Sequence, residues 1–204
     1  MNGRVAVFFC ISSVLTLGIF LSCGGGGGGG GPEVTAEQLT SEGWARFEAG
    51  DFQGAMSKFE GAIAIDSNYG EAYNGLGWSC VKIDSLEAAV NAFGQAISKG
   101  VSTADPRAGK AVVYRDLEPV DFQASIDWAD SALARDSDYV FSHDTTMTWK
   151  DLRLILAQSY YGLHEYEEAL EQVDILDPEN TLNSGSDTFV EDLLAELQRL
   201  GEEI

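Results

Sequence analysis

The chain has 204 residues, of which 33 are acidic and 12 are Lys or Arg, so its formal net charge is −21 at pH 7. This balance argues against nucleic-acid binding and against electrostatic docking on anionic lipid, because both need a basic surface. Because 45% of the residues are hydrophobic, the chain can bury the core of one array of about four or five helical pairs.

Residues 1–22 are predicted to be a lipoprotein signal peptide. Arg4 supplies the positive start, and an apolar run covers residues 5–21. Ser22 before Cys23 then resembles the lipobox of bacterial lipoproteins. The resemblance implies that signal peptidase II cuts before Cys23, whose thiol is then acylated. The alternatives are an uncleaved membrane anchor and simple secretion.

Residues 23–34 are predicted to be a lipidated cysteine followed by a flexible tether. Glycine fills positions 24–31 and Pro32 follows; glycine in such a run neither packs nor holds a helix. Fully extended, this stretch reaches about 38 Å, which would hold a folded domain just off a membrane. Gly24, rather than Asp, resembles the outer-membrane sorting signal. We therefore expect a protein of the cell envelope, lipid-anchored through Cys23 to the outer membrane and facing the periplasm.

From residue 35 onward the pattern predicts helices in pairs. A capping box formed by Thr35 and Gln38 begins the first helix, and Gly50-Asp51 makes the turn to the second. Pro106 is well placed in the first turn of a later helix. Helices are predicted over about residues 36–49, 52–65, 69–83, 86–99, 106–117, 121–135, 148–162, 166–176 and 188–200.

Small and aromatic residues recur along the chain at a fixed offset of 34 positions. Such a recurrence predicts a tandem array, in which small residues let two helices approach closely and a Phe fills the gap to the next pair. A later recurrence of part of this pattern lies 70 positions on, whereas two units of 34 residues would give 68. The difference predicts about two extra residues in the third pair, near Pro119. The recurring set is Gly43, Trp44, Ala55, Phe59 and Ala62, which reappears as Gly77, Trp78, Ala89, Phe93 and Ala96.

The second unit reads Tyr73-x2-Leu76-Gly77-x2-Cys80, followed by Ala89-x3-Phe93 and Ala96. This order resembles the tetratricopeptide repeat (TPR), and the resemblance covers about residues 35–178. It implies an all-α, right-handed solenoid of about four helix pairs, with residues 179–204 as a linker and capping helix. It also implies a non-enzymatic scaffold that binds a segment of another envelope protein in its concave groove.

Trp44 and Trp78 are the candidate binding residues. In the TPR register they lie on the first helix of their pairs and face the groove, with Glu71 and Asn74 as polar neighbours. A repeated large aromatic there would form a stripe that binds a partner. The alternative is that both rings are buried between helices. If the rings instead stack on sugars, the protein would be a polysaccharide- or small-ligand-binding accessory of a cell-wall enzyme.

No pattern in the sequence predicts catalysis, a cofactor or a metal site. Ser142-His143-Asp144 contains the residue types of a catalytic triad, but adjacent positions cannot converge in the geometry that a triad needs. That segment is therefore predicted to be a polar loop. Cys80 stands where TPR units usually have Tyr, and it is predicted to be a small core residue.

Overall fold

The computed structural model describes residues 33–204, and this part of the chain consists of helices and loops. The predicted signal peptide and Cys23 lie outside the described residues, so their assignments stay predictions. The described part contains nine helices: α1 (Ala36–Glu48), α2 (Phe52–Ile65), α3 (Gly70–Lys82), α4 (Leu86–Ser98), α5 (Asp105–Asp116), α6 (Phe122–Leu133), α7 (Trp149–Gly162), α8 (Tyr166–Leu176) and α9 (Phe189–Glu203).

Side-chain caps from the sequence begin several of these helices. The predicted capping box of Thr35 and Gln38 is present at α1, and Thr148 forms a second capping box with Asp151 at α7. The Asp51 carboxylate accepts a hydrogen bond from the Gly54 backbone N–H at 2.9 Å, at the start of α2. Each cap satisfies a backbone N–H that has no partner inside its own helix.

The first eight helices pack as four consecutive pairs, α1 with α2 through to α7 with α8. The first helices of neighbouring pairs also contact one another, in the order α1, α3, α5 and α7. Within residues 33–204, no such contacts join the second helices α2, α4, α6 and α8 to one another. The first helices therefore lie on the inner side of a curved stack, which is the concave side of the solenoid.

Glycine and phenylalanine provide the contact between successive pairs. Phe59, on α2, is fully buried between Gly43 of α1 and Gly75 of α3. A Cβ atom added at these two glycines would lie 2.6 and 2.2 Å from the ring of Phe59. Phe93 occupies the same place between Gly77 and Gly109 in the next unit. The predicted gap-filling role of the two phenylalanines is confirmed, and their packing needs glycine on both sides.

Two connections depart from the short turns of the other units. The turn between α5 and α6 covers the five residues 117–121. The corresponding turns in the first two pairs, 49–51 and 83–85, have three residues each. The two extra residues therefore lie where the sequence predicted them. The connection between α6 and α7 covers residues 134–148. It contains one isolated antiparallel bridge, between Val140 and Thr148.

Helix α9 packs against α7 and α8 and covers the end of the stack, as the sequence predicted. Phe189, Leu193, Leu197 and Leu200 are buried in this contact. Leu194 lies on the same helix, but its side chain is 39% exposed. Residue 194 is about 100° around the helix from Leu193, so it lies at the edge of the apolar face.

Candidate functional site

Both tryptophans lie on inner-side helices, Trp44 on α1 and Trp78 on α3, but neither offers an open ring to a partner. The exposed fraction is 7% for Trp44 and 3% for Trp78. Of the two alternatives that the sequence left open, burial is therefore the one observed, and groove exposure of the rings is wrong. Whether a partner binds at this part of the inner side stays a prediction.

The rings are buried because the α6–α7 connection folds back over them. Phe141, which is 1% exposed, stacks on Trp78 with ring centroids 4.4 Å apart and meets the edge of Trp44 at 5.9 Å. His143 stacks flat on Trp44, with centroids 3.8 Å apart and ring planes 4° from parallel. We call residues 137–148 the inner loop. It turns part of the groove into hydrophobic core.

Two polar contacts hold the inner loop to the first two helix pairs. Lys82 at the end of α3 forms an ion pair with Asp144, with Nζ and Oδ2 2.6 Å apart. His143 Nδ1 lies 2.8 Å from Glu48 Oε1 at the end of α1. These partners are separated by 62 and 95 positions in the chain. The loop is therefore fixed, just after Phe141, by tertiary contacts to both α1 and α3.

Backbone hydrogen bonds give the inner loop a defined shape. The Phe141 N–H donates to the Met147 carbonyl at 2.9 Å, and the Trp149 N–H donates to the Tyr139 carbonyl at 2.6 Å. The Asp144 carboxylate accepts from the Thr146 N–H inside the turn. Residues 142–144 do form a loop, as predicted. The sequence did not predict that Phe141 is buried in the core or that the loop packs against α1 and α3.

The two predicted polar neighbours, Glu71 and Asn74, do lie together on α3. Asn74 is fully buried, and its Nδ2 donates to Glu71 Oε1 at 3.2 Å. Burial raises the pKa of Glu71 above its ordinary value, and the nearby Asp105 carboxylate raises it further. Burial also raises the pKa of Asp105. Two partly buried carboxylates therefore lie on α3 and α5, and the charge of Asp105 disfavours the charged form of Glu71.

One part of the inner side stays open, as a cleft of about 500 Å³ between α1, α3 and the inner loop. We call it the inner cleft. It has an acidic rim, a stacked pair of aromatic rings and a buried threonine. The residues concerned are Glu37, Thr40, Trp44, Glu48, Glu71 and His143.

No group of three or more His, Cys, Asp and Glu side chains within residues 33–204 is arranged to hold a metal ion. Cys80 is free and 2% exposed, and burial raises the pKa of its thiol, which fits the predicted core role. Within the same range, no helix has the length and apolar character needed to cross a membrane.

Sequence reasoning missed Phe141 and His143 as parts of the site. The signal that could have found them is the length of the connection at 134–148, since the earlier connections between pairs cover only residues 66–69 and 99–104. A connection of that length with Tyr139 and Phe141 inside it must bury those rings somewhere. The nearest surface rich in aromatic rings is the one around Trp44 and Trp78.

Solved TPR structures share this fold. YrrB, described as a TPR protein with an unusual peptide-binding site, has a TM-score of 0.61 at 16% identity, covering 82% of this chain and 84% of YrrB. MamA has a TM-score of 0.57 at 17% identity, covering 82% and 81% of the two chains. The TPR protein TTC0263 of Thermus thermophilus has 0.54 at 17% identity, covering 82% and 81%.

No family model matches the sequence, and the search for similar curated proteins found no match. The structural likeness and the paired packing of the helices define the class, an all-α TPR solenoid. At these identities the likeness concerns the fold. Partner and cellular role therefore have to be argued from this chain's own residues.

Proposed function

We propose that the protein is a non-enzymatic scaffold of the bacterial cell envelope, tethered to a membrane and binding a segment of a partner protein at the inner cleft. The observation that carries the proposal is the cleft itself, which lies on the inner side of the TPR stack and is left open by the inner loop. Interaction surfaces combine a concave shape with aromatic and polar groups, and this cleft has all three features.

The fold supports this proposal. Solenoids present an extended concave surface to other chains, and YrrB shows that a TPR protein can have a peptide-binding site of unusual form. Here the inner loop fills the groove beside Trp78, so an incoming segment has access to the α1 side. A partner would therefore contact the rim of α1 and the partly exposed ring of His143.

The alternative of a polysaccharide-binding accessory depends on free aromatic faces. Sugar rings would need to stack on Trp44 or Trp78, yet His143 covers one of these rings and Phe141 covers the other. No other observation on the inner side favours a sugar ligand. The protein-binding proposal is therefore the better supported of the two.

A photo-cross-linking amino acid placed at position 41 tests the proposed site. Ser41 is exposed and lines the inner cleft, whereas Glu87 is exposed on α4 and provides the matched control position. In the native envelope, we expect mass spectrometry to find one partner peptide cross-linked to position 41 and not to position 87. Equal yields of the same protein at both positions would contradict a site in the cleft.

The proposed tether predicts that Cys23→Ala abolishes lipid attachment. The thiol of Cys23 is the predicted acylation site, so the variant is expected to incorporate no labelled fatty acid and to leave the membrane fraction or remain as precursor. Metabolic labelling followed by fractionation measures both effects, and Cys80→Ala is the matched control because that thiol is buried. Undiminished labelling of Cys23→Ala would contradict the lipid anchor.

A further inference from the structure

We infer that the inner cleft receives a basic side chain, a lysine or an arginine, from the partner segment. This inference rests on the proposed function and specifies the kind of side chain that the partner contributes. The first observation is the charge of the lining. Glu37, Glu48 and Glu71 all line the cleft, and no Lys or Arg within the described part of the chain does so.

The second observation is that the deepest of these carboxylates lacks a cationic partner. Among residues 33–204, no ion pair involves Glu71 or Glu37, and Glu48 has its 2.8 Å contact with the His143 ring. Glu71 is partly buried and receives a hydrogen bond from Asn74. A cation brought to this carboxylate would offset its burial and its repulsion by Asp105.

The third observation is a pair of buried oxygen atoms that have no hydrogen-bond partner. Thr40 lines the cleft, is 3% exposed, and its hydroxyl has no partner within the described structure. Asn74, which contacts Glu71 but is not part of the cleft lining, donates through Nδ2, and its own Oδ1 is also without a partner. Buried polar atoms are nearly always paired, so the unpaired Thr40 hydroxyl indicates a missing partner group in the cleft. An ammonium or guanidinium group carries several N–H donors and no acceptor.

The cleft also has room for the apolar stem of such a side chain. Lysine and arginine pack their methylene groups along apolar surface while the charged end is solvated or paired. Trp44 and Tyr69 line the cleft together with the carboxylates. A lining that combines aromatic residues with carboxylates suits a long basic side chain better than a short one.

Binding of a dye-labelled hexalysine peptide to the full-length protein tests the inference by fluorescence anisotropy. Glu71→Gln removes the charge but keeps an oxygen that can accept from Asn74, so the variant should fold. We expect its Kd for hexalysine to rise about tenfold, the loss typical of one partly buried charge contact. Fully acetylated hexalysine should bind at least tenfold more weakly than hexalysine to the unmodified protein, by the same reasoning.

Glu87→Gln is the matched control, because it makes the same change of charge on the exposed surface of α4. We expect it to change the Kd less than about twofold, as surface charges are screened by salt. Equal losses in the two variants would mean that hexalysine responds to net charge alone, and would overturn the inference. Equal binding of the acetylated peptide would overturn it as well.

The two proposals can fail separately. If position 41 cross-links a partner but Glu71→Gln leaves the Kd for hexalysine unchanged, the scaffold function stands and the inference that the cleft binds a basic side chain is wrong. If hexalysine binding depends on Glu71 but position 41 captures no partner in the envelope, the cleft takes a basic group and the proposed scaffold function is wrong.

Discussion

Replacing Trp78 with alanine is expected to lower the free energy of unfolding by about 3–5 kcal/mol, the usual cost of truncating a buried tryptophan. The ring is 3% exposed and packs against Phe93 at 5.5 Å and Phe141 at 4.4 Å. Truncation would leave a cavity where α3, α4 and the inner loop meet. For a chain of this size the melting temperature should fall by about 6–20 °C.

Circular dichroism during thermal and urea unfolding measures this loss, and the inner loop supplies the comparison. Phe141→Ala should also be strongly destabilising, whereas Val140→Ala should stay within about 0.5 kcal/mol, because Val140 is 48% exposed. The Trp78 and Phe141 losses should not add, since the two rings stack on each other. A stable Trp78→Ala protein would mean that the inner loop does not bury this ring.

Replacing Gly75 with alanine is expected to destabilise the protein by about 1–3 kcal/mol through overpacking. The new Cβ would lie 2.2 Å from Cζ of Phe59, whose ring is fully buried and held on its other side by Gly43. Alanine is a better helix former than glycine by about 1 kcal/mol, so the steric cost must exceed that gain. The net loss would show that close approach of α1 and α3 depends on this glycine.

Gly94→Ala is the matched control for that experiment. Gly94 also lies inside a helix, α4, but a Cβ added there meets no atom within 4 Å. This substitution should therefore raise the free energy of unfolding, by up to about 1 kcal/mol. Chemical denaturation of both variants measures whether each substitution raises or lowers the free energy of unfolding. A gain in stability for both would contradict the packing of Phe59 between two glycines.

The inner loop changes what the TPR fold offers to a partner. In the TPR register, Trp44 and Trp78 would present a hydrophobic stripe, but Phe141 and His143 bury it and leave the acidic inner cleft. Recognition by this chain would then depend on charge and hydrogen bonding more than on apolar contact. The formal charge of −21 points in the same direction, because it favours a basic partner over an acidic one.

The sequence by itself determined the helices and their order in the stack. Caps such as Thr35, turn glycines such as Gly50 and the spacing of apolar residues act within a few positions, so each can be read locally. The 34-residue recurrence then predicted the packing of Phe59 and Phe93 between pairs, since identical units stack by identical contacts. The same spacing located the two extra residues near Pro119.

Only the tertiary structure decided whether the two tryptophans are buried and which residues form the candidate site. Glu48 and His143 meet across 95 positions, and nothing periodic in the sequence relates the inner loop to α1 and α3. A loop has no repeating face that would show which way Phe141 points. Whether Trp44 faces a partner or the core therefore depends on a contact between distant segments, and such a contact forms only when the whole stack is assembled.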